Sequence, residues 1–304
     1  MSHNRPEGTS SSTMYVFLVG TGRCGSTLIH RLIARHPEVG FLSNLEDRLP
    51  GLPANAWRSS NAVYRHAPVW ATGTGRLRVA PSEAYRTLAR EVSPMVTEPS
   101  RDLLASDAMP WLVERFRSFF VTRARAQHRP VFLHKFTGWP RTGFIGEVFP
   151  EARFINVVRD GRAVVASGLK TPWWRGHQGP ERWPWGPLPP GYAAEWEASG
   201  RSFVLLAGLG WKILMDAYAA ARELVPADRW LDVRFEDVLA DPRASFKQML
   251  DLIGLEEDRR FDQALSRERF VEDRRDAFRR ELGPAAVELL ERSLADHLER
   301  WGYS

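Results

Sequence analysis

The chain has 304 residues, 43% apolar and 26% charged, with a formal net charge of +5. That mix belongs to a globular protein with material for a real core and excludes a fibrous or wholly disordered chain. A single cysteine, Cys24, excludes internal disulfides and an all-cysteine metal site; no His/Cys/Asp cluster stands at ligand spacing, so no metal is expected.

The positive excess is mostly arginine, spread along the chain without a Lys/Arg block or an aromatic–basic repeat. It suits an anionic small ligand better than nucleic acid. One cysteine is compatible with a reducing cytoplasm, the expected compartment. No apolar run approaches the ~20 residues of a membrane-spanning helix, so no span is expected. Residues 1–13, MSHNRPEGTSSST, are polar and lack the apolar stretch of a secretory signal. They read as a disordered lead-in to one domain over 14–304.

The predicted elements begin with a β-rich apolar run over 15–19 that ends at Gly20. Residues 26–35 follow with Leu28, Ile29, Leu32 and Ile33 at helical spacing, and His36-Pro37 stops that helix. Residues 40–110 mix Gly, Pro and Trp with short helical stretches, which predicts loops and one helix over 82–92. An amphipathic helix is expected over 111–127, a short strand over 130–136, a short helix over 143–149 and a strand over 154–158. Asp160 reads as the N-cap of a helix that runs to 169.

Residues 172–196, PWWRGHQGPERWPWGPLPPGYAAEW, are the compositional outlier. They are too rigid and aromatic for a linker and predict a structured surface loop or lid. Helices over 203–224 and 242–253 enclose a strand over 230–234, and Gly254 ends the second of them. The tail from 261 is arginine-rich and finishes in a long helix over 284–301, with Pro284 near its first turn. No internal repeat is visible. Strands alternating with helices predict an α/β fold: a P-loop-like parallel sheet with helices on both faces. Ligands in such sheets sit beyond the carboxyl ends of the strands, so the exits after Val19, Phe132 and Val158 are where a site belongs.

The first exit reads GTGRCGST. Gly20 and Gly25 keep the spacing of a phosphate-cradling loop, but Ser26-Thr27 follows Gly25 directly and the lysine of that motif is absent. Backbone N–H groups of residues 22–27 and the helix N-terminus can still bind an anion. Such a loop suits a nucleotide used for something other than γ-phosphoryl transfer; a bare glycine turn is the alternative. At the third exit, VVRDGRAVVAS, Arg159 at a strand end and Ser167 on the next helix can converge on one phosphate. A structural ion pair of Arg159 with Asp160 or Glu236 is the alternative there.

Taken together, these segments resemble the sulfotransferases that use 3′-phosphoadenosine 5′-phosphosulfate (PAPS). GTGRCGSTL resembles their 5′-phosphosulfate loop, VVRDGRAVVAS their 3′-phosphate motif with its Arg-to-Ser spacing, and RFEDVLADP the segment near adenine. The likeness covers most of the chain from 14 to about 256 and is patchy over 45–125. Cys24 stands where serine is commoner, Phe235 replaces the usual tyrosine, and the C-terminal RKG signature is absent.

The resemblance implies a sulfotransferase fold, PAPS as sulfuryl donor and no metal. Donor binding would fall to Arg23, Cys24, Gly25, Ser26, Thr27, Arg159, Ser167 and Phe235. Arg23, Lys135 in FLHKFTGW and the loop N–H groups would steady the charge of the transfer. Glu46, in the register of the glutamate of the group related to tyrosylprotein sulfotransferases, would be the base; His134, beside the strand-end lysine, is the second candidate. A capping or salt-bridging Glu46 and a packing His134 are the plain alternatives. The acceptor would be a hydroxyl or amine of a small molecule, lipid or glycan, against an aromatic wall from 172–196 that could equally be a packed lid or a homodimer contact. A P-loop nucleotide kinase and a non-catalytic nucleotide-binding protein are the competing readings. The missing loop lysine argues against the first, and Arg23, Lys135, Arg159 and Ser167 together argue against the second.

Overall fold

The computed structural model describes residues 13–49, 51–68, 79–270 and 276–303. The expected lead-in lies outside these, apart from Thr13. The elements run β1 (Met14–Gly20), α1 (Ser26–Ile33), β2 (Val39–Phe41), α2 (Asn44–Arg48), α3 (Ala54–His66), α4 (Tyr85–Glu91), α5 (Pro94–Thr97), α6 (Pro110–Gln127), β3 (Val131–Lys135), α7 (Thr142–Val148), β4 (Arg153–Val158) and α8 (Gly161–Gly168). There follow α9 (Pro190–Ala198), α10 (Phe203–Glu223), β5 (Trp230–Arg234), α11 (Phe235–Ala240), α12 (Pro242–Leu252), α13 (Arg259–Arg267), α14 (Ala277–Leu282) and α15 (Pro284–Arg300).

The five strands form one parallel sheet in the order β2-β3-β1-β4-β5. β1 is its centre: Leu18 lies beside Lys135 on one side and Ile155 on the other. Strand side chains alternate between faces, and here both faces are covered. Phe17, Phe132 and Phe154 face an aromatic layer with Phe116, Phe119 and Phe120 of α6. Val16, Leu18, Leu133 and Ile155 face α1, α12 and α13. Chain reversal after each strand brings the carboxyl ends of β1, β3 and β4 to one edge, as the alternation of elements predicts.

Beyond β4, α8 meets α10 and α15 around Val165, Trp211, Met215 and Leu294. The contact is close because a Cβ on Gly161 would come within 2.7 Å of the Trp211 ring. α10 is long and apolar enough by composition to cross a membrane, against the expectation that no helix is. In this fold it is a core helix, with Leu206, Leu209, Leu214 and Tyr218 buried.

Two elements of the 40–110 stretch were not expected. β2 is three residues long and contains a glycine, too short for a period to register. α3 buries Ser60, Asn61 and Tyr64 rather than an apolar stripe. The side chains of Asn61 and Gln127 both bond to the N–H and the carbonyl of Phe41, which fixes α3 and α6 to the sheet's first strand.

α2 begins with a capping box. Glu46 N–H donates to Ser43 Oγ at 3.4 Å, and Ser43 N–H donates to Glu46 Oε2 at 3.0 Å. The other carboxylate oxygen lies 3.4 Å from Arg123 Nε. Glu46 is 3% exposed and borders a cavity of about 350 Å3 with Trp57, Phe119 and Arg123. Burial pushes its carboxyl up to about 7, against the pull of Ser43 and Arg123. A raised folded value means that the folded state holds the proton more tightly than the unfolded chain does. The associated stability is complete below the ordinary value of 4.5 and fades as pH climbs through about 7. Glu46→Gln keeps the capping geometry and has no charge to bury. Relative to wild type it should gain on the order of 1–3 kcal/mol between about pH 5 and about pH 8. Urea midpoints of both proteins at the two pH values measure this; a constant difference would show that burial does not penalise the Glu46 charge.

Candidate active site

The turn after β1 is shaped by left-handed residues. Gly22, Arg23 and Gly25 have φ of 82°, 56° and 90°. At Gly25 a side chain is excluded twice, by that φ and by Phe235, whose ring carbons lie 2.2 Å from where a Cβ would be. Arg23 has no such excuse, and a side chain in this region costs roughly 1–2 kcal/mol. Two contacts hold it: its carbonyl accepts from Arg159 Nη1 at 3.0 Å, and its Nε donates to Ser167 Oγ at 2.8 Å. The first and third strand exits are therefore joined directly. Among the described residues no side chain caps the first turn of α1, which leaves that helix end open to an anion.

Arg159 also stands over the Phe235 ring, 5.3 Å from its centroid. Burial holds its guanidinium below the ordinary range. Asp160 is engaged elsewhere: it caps α8 through Arg162 N–H at 2.8 Å and pairs with the Arg162 guanidinium at 2.7 Å.

On β3 the alternation of side chains separates two neighbours. Lys135 points to the α1 side, where Nζ donates to Thr27 Oγ1 at 2.8 Å and pairs with Glu83 Oε1 at 3.1 Å. Glu83 also accepts from Thr137 Oγ1 at 3.0 Å, and Thr137 N–H donates to the Tyr85 hydroxyl at 2.9 Å. His134 points to the opposite face, wedged edge-on between Phe120 and Phe136 at 5.0 and 4.5 Å. Neither of its ring nitrogens has a hydrogen-bond partner among the described residues, and burial, then Lys135, hold its pKa down near 3.

These side chains line a cleft of about 1220 Å3. Of the expected site residues, Arg23, Gly25, Ser26, Thr27, Lys135, Arg159 and Phe235 border it. Ser167 reaches it through Arg23. Cys24 is fully buried beneath the turn, its sulfur 2.6 Å from the position a Cβ on Gly20 would take, so it packs the loop from below. The structure sets both expected bases apart from this cleft: Glu46 borders a separate cavity beside α2, and His134 packs in the aromatic layer.

The carboxylate at Lys135 is instead Glu83, which sequence reasoning missed. It lies just before α4 in a stretch with no motif. Its only signal is the neighbouring bridge between Pro81 and Ser43, which ties the stretch to the end of β2 and is visible only in three dimensions. Arg141 was missed as well. It is 2% exposed and gives its guanidinium to the carbonyls of Val96, Thr97 and Trp139, so it braces the cleft wall. Trp139, Trp173, Trp183 and Trp185 complete that wall.

Solved structures similar to this one include sulfotransferases. The sulfotransferase domain of the Synechococcus PCC 7002 olefin synthase shares 18% identity over 96% of this chain and 98% of its own, with a TM-score of 0.51. The sulfotransferase domain of the curacin biosynthetic pathway shares 11% over 94% and 99%, at 0.56. Sulfotransferase STF9 from Mycobacterium avium shares 15% over 96% and 78%, at 0.55. These likenesses speak to the fold. A comparison with curated proteins gave no match. The model of the sulfotransferase family matches residues 16–259, from β1 to the start of α13, and the chain belongs to that family.

Proposed function

We propose that the protein moves a sulfuryl group from 3′-phosphoadenosine 5′-phosphosulfate to a hydroxyl or amine of a small-molecule, lipid or glycan acceptor. The observation that carries this reading is the meeting of Arg23, Lys135 and Arg159, from three strand exits, around an uncapped helix end in one cleft. That donor set fits a ligand with anionic groups at two ends. Arg159 is poised for it: burial works against its charge, and an arriving anion would relieve this. The lysine comes from β3 rather than from the loop, which separates this site from a kinase-type phosphate loop.

The donor, when bound, supplies a sulfuryl group already activated by its bond to phosphate. Ser26, Thr27 and the first amides of α1, with Lys135, would hold its 5′ end, and Arg159 with Ser167 its 3′-phosphate. Phe235 offers a ring face beside Arg159 for the base. Lys135 and Arg23 place positive charge where negative charge gathers during transfer. Glu83 contacts Lys135 and faces the cleft, so it takes the acceptor proton. Tyr85 and Thr137 fix its position through the Thr137 hydroxyl.

Arg159→Ala should weaken binding of adenosine 3′,5′-bisphosphate by roughly 2–4 kcal/mol, the scale of a desolvated charge-assisted pair. Calorimetric titration measures this, and unchanged affinity would remove Arg159 from the site. Glu83→Gln should lower turnover by about 10²–10⁴ while bisphosphate affinity holds. Glu46→Gln should leave turnover within a few-fold of wild type. Turnover with labelled donor against a panel of phenols, sterols, glycolipids and peptides reports both, and the reverse pattern would return the proton-accepting role to Glu46.

A further inference from the structure

The cleft holds more positive charge than the donor reading uses. Among the described residues, seven cationic side chains border it against three carboxylates. Arg175, Arg182 and Arg269 remain after the donor-facing cations and the bracing arginine are set aside. Arg175 and Arg182 lie on the aromatic segment between α8 and α9, both exposed, and among the described residues neither guanidinium has an ion-pair or hydrogen-bond partner. The same segment gives the cleft Trp173, Trp183 and Trp185.

This wall is preformed. Trp183 is 6% exposed and packs with Leu205, Leu209 and Ile213 of α10. α9, which follows, is pinned to α10 by Tyr192 to Asp216 at 2.7 Å and by Lys212 to Glu195 at 2.9 Å. Trp173, by contrast, leaves half of its surface uncovered at the cleft. An indole left open in a cleft is a surface for a flat apolar body. Two arginine forks lining the same cleft match anionic oxygens, which they can bind bidentately.

We infer that the acceptor is a ring-bearing alcohol carrying an anionic oxygen group, such as a carboxylate or sulfonate, with the ring on the Trp173–Trp185 wall and the anion on Arg175 and Arg182. This rests on the sulfotransfer reading above. It assigns to the two arginines a selection between charged and neutral acceptors that the reacting hydroxyl itself cannot provide.

The test compares hydroxynaphthoate with its neutral amide, each titrated into the full chain saturated with adenosine 3′,5′-bisphosphate and followed by tryptophan quenching and calorimetry. The acid should bind about tenfold tighter than the amide at low salt, with the margin narrowing as salt rises, because both arginines are solvent-exposed. In the double variant Arg175→Gln, Arg182→Gln the margin should fall to within about twofold, with bisphosphate affinity retained as the control for folding. Hydroxynaphthalenesulfonate should follow the acid. Equal affinity of acid and amide in wild type, no saturable binding of either, or an undiminished margin in the variant would overturn the inference. Each of these leaves the donor reading standing. Failure of the bisphosphate to bind wild type would strike the donor reading itself, and this inference with it.

Discussion

The clamp on Arg23 is the constraint on which the cleft depends. A non-glycine residue in left-handed geometry persists only where its surroundings hold it. Here the holders are a guanidinium from the end of β4 and a hydroxyl from the last turn of α8. The turn after β1 thus takes its shape from the far side of the sheet's centre. Gly25, pressed against Phe235, adds a third anchor from the end of β5. Three connections distant in sequence agree on one loop conformation, and that agreement presents the open end of α1 and its neighbouring cations to a single volume.

Strand periodicity then does the sorting. In β3, neighbouring residues part company: Lys135 goes to the polar cleft and His134 to a layer of phenylalanines. A charged lysine would be prohibitive on the aromatic side, whereas a neutral imidazole is tolerated there. The same logic explains Glu46. Its place three residues after Ser43 makes it a helix-capping acid, and Arg123, seated against Phe119 at 3.8 Å, answers its charge. Both residues are ionisable; Glu46 is held by local hydrogen bonds to Ser43 and His134 by ring packing.

Much of this architecture was legible in the sequence. β1, β4, β5 and the long helices α6, α10 and α15 carry strong periodic signals with clear caps and breakers, and the structure places them within a residue or two of expectation. That the loop glycines, Arg159 and Ser167 meet at one turn was legible because spacing from a strand end fixes their places. Glu83 was not. Its place at the cleft comes from contact with Lys135 across more than fifty intervening residues, through a segment anchored by one isolated bridge and not by a regular element. Spacing arguments see neighbours along the chain, and this pairing exists only across it. β2 was lost because three residues are too few for a period to register, and α3 because its buried face carries polar side chains that bond to backbone, which mimic loop composition. The wall from 172 to 196 was legible as structured, yet its closing turn into α9 was hidden by the Pro-Gly start of that helix.

The amide side chains of Asn61 and Gln127, bonded to β2, have an effect on assembly. A border strand ordinarily offers a row of bare peptide groups on which a stray chain can add itself. At Phe41 both groups are already occupied by Asn61 and Gln127, and the Val39 carbonyl takes the Arg65 guanidinium. The sheet is thus sealed on that flank against accretion, and two copies of the molecule meeting there would have to do so through the surfaces of helices.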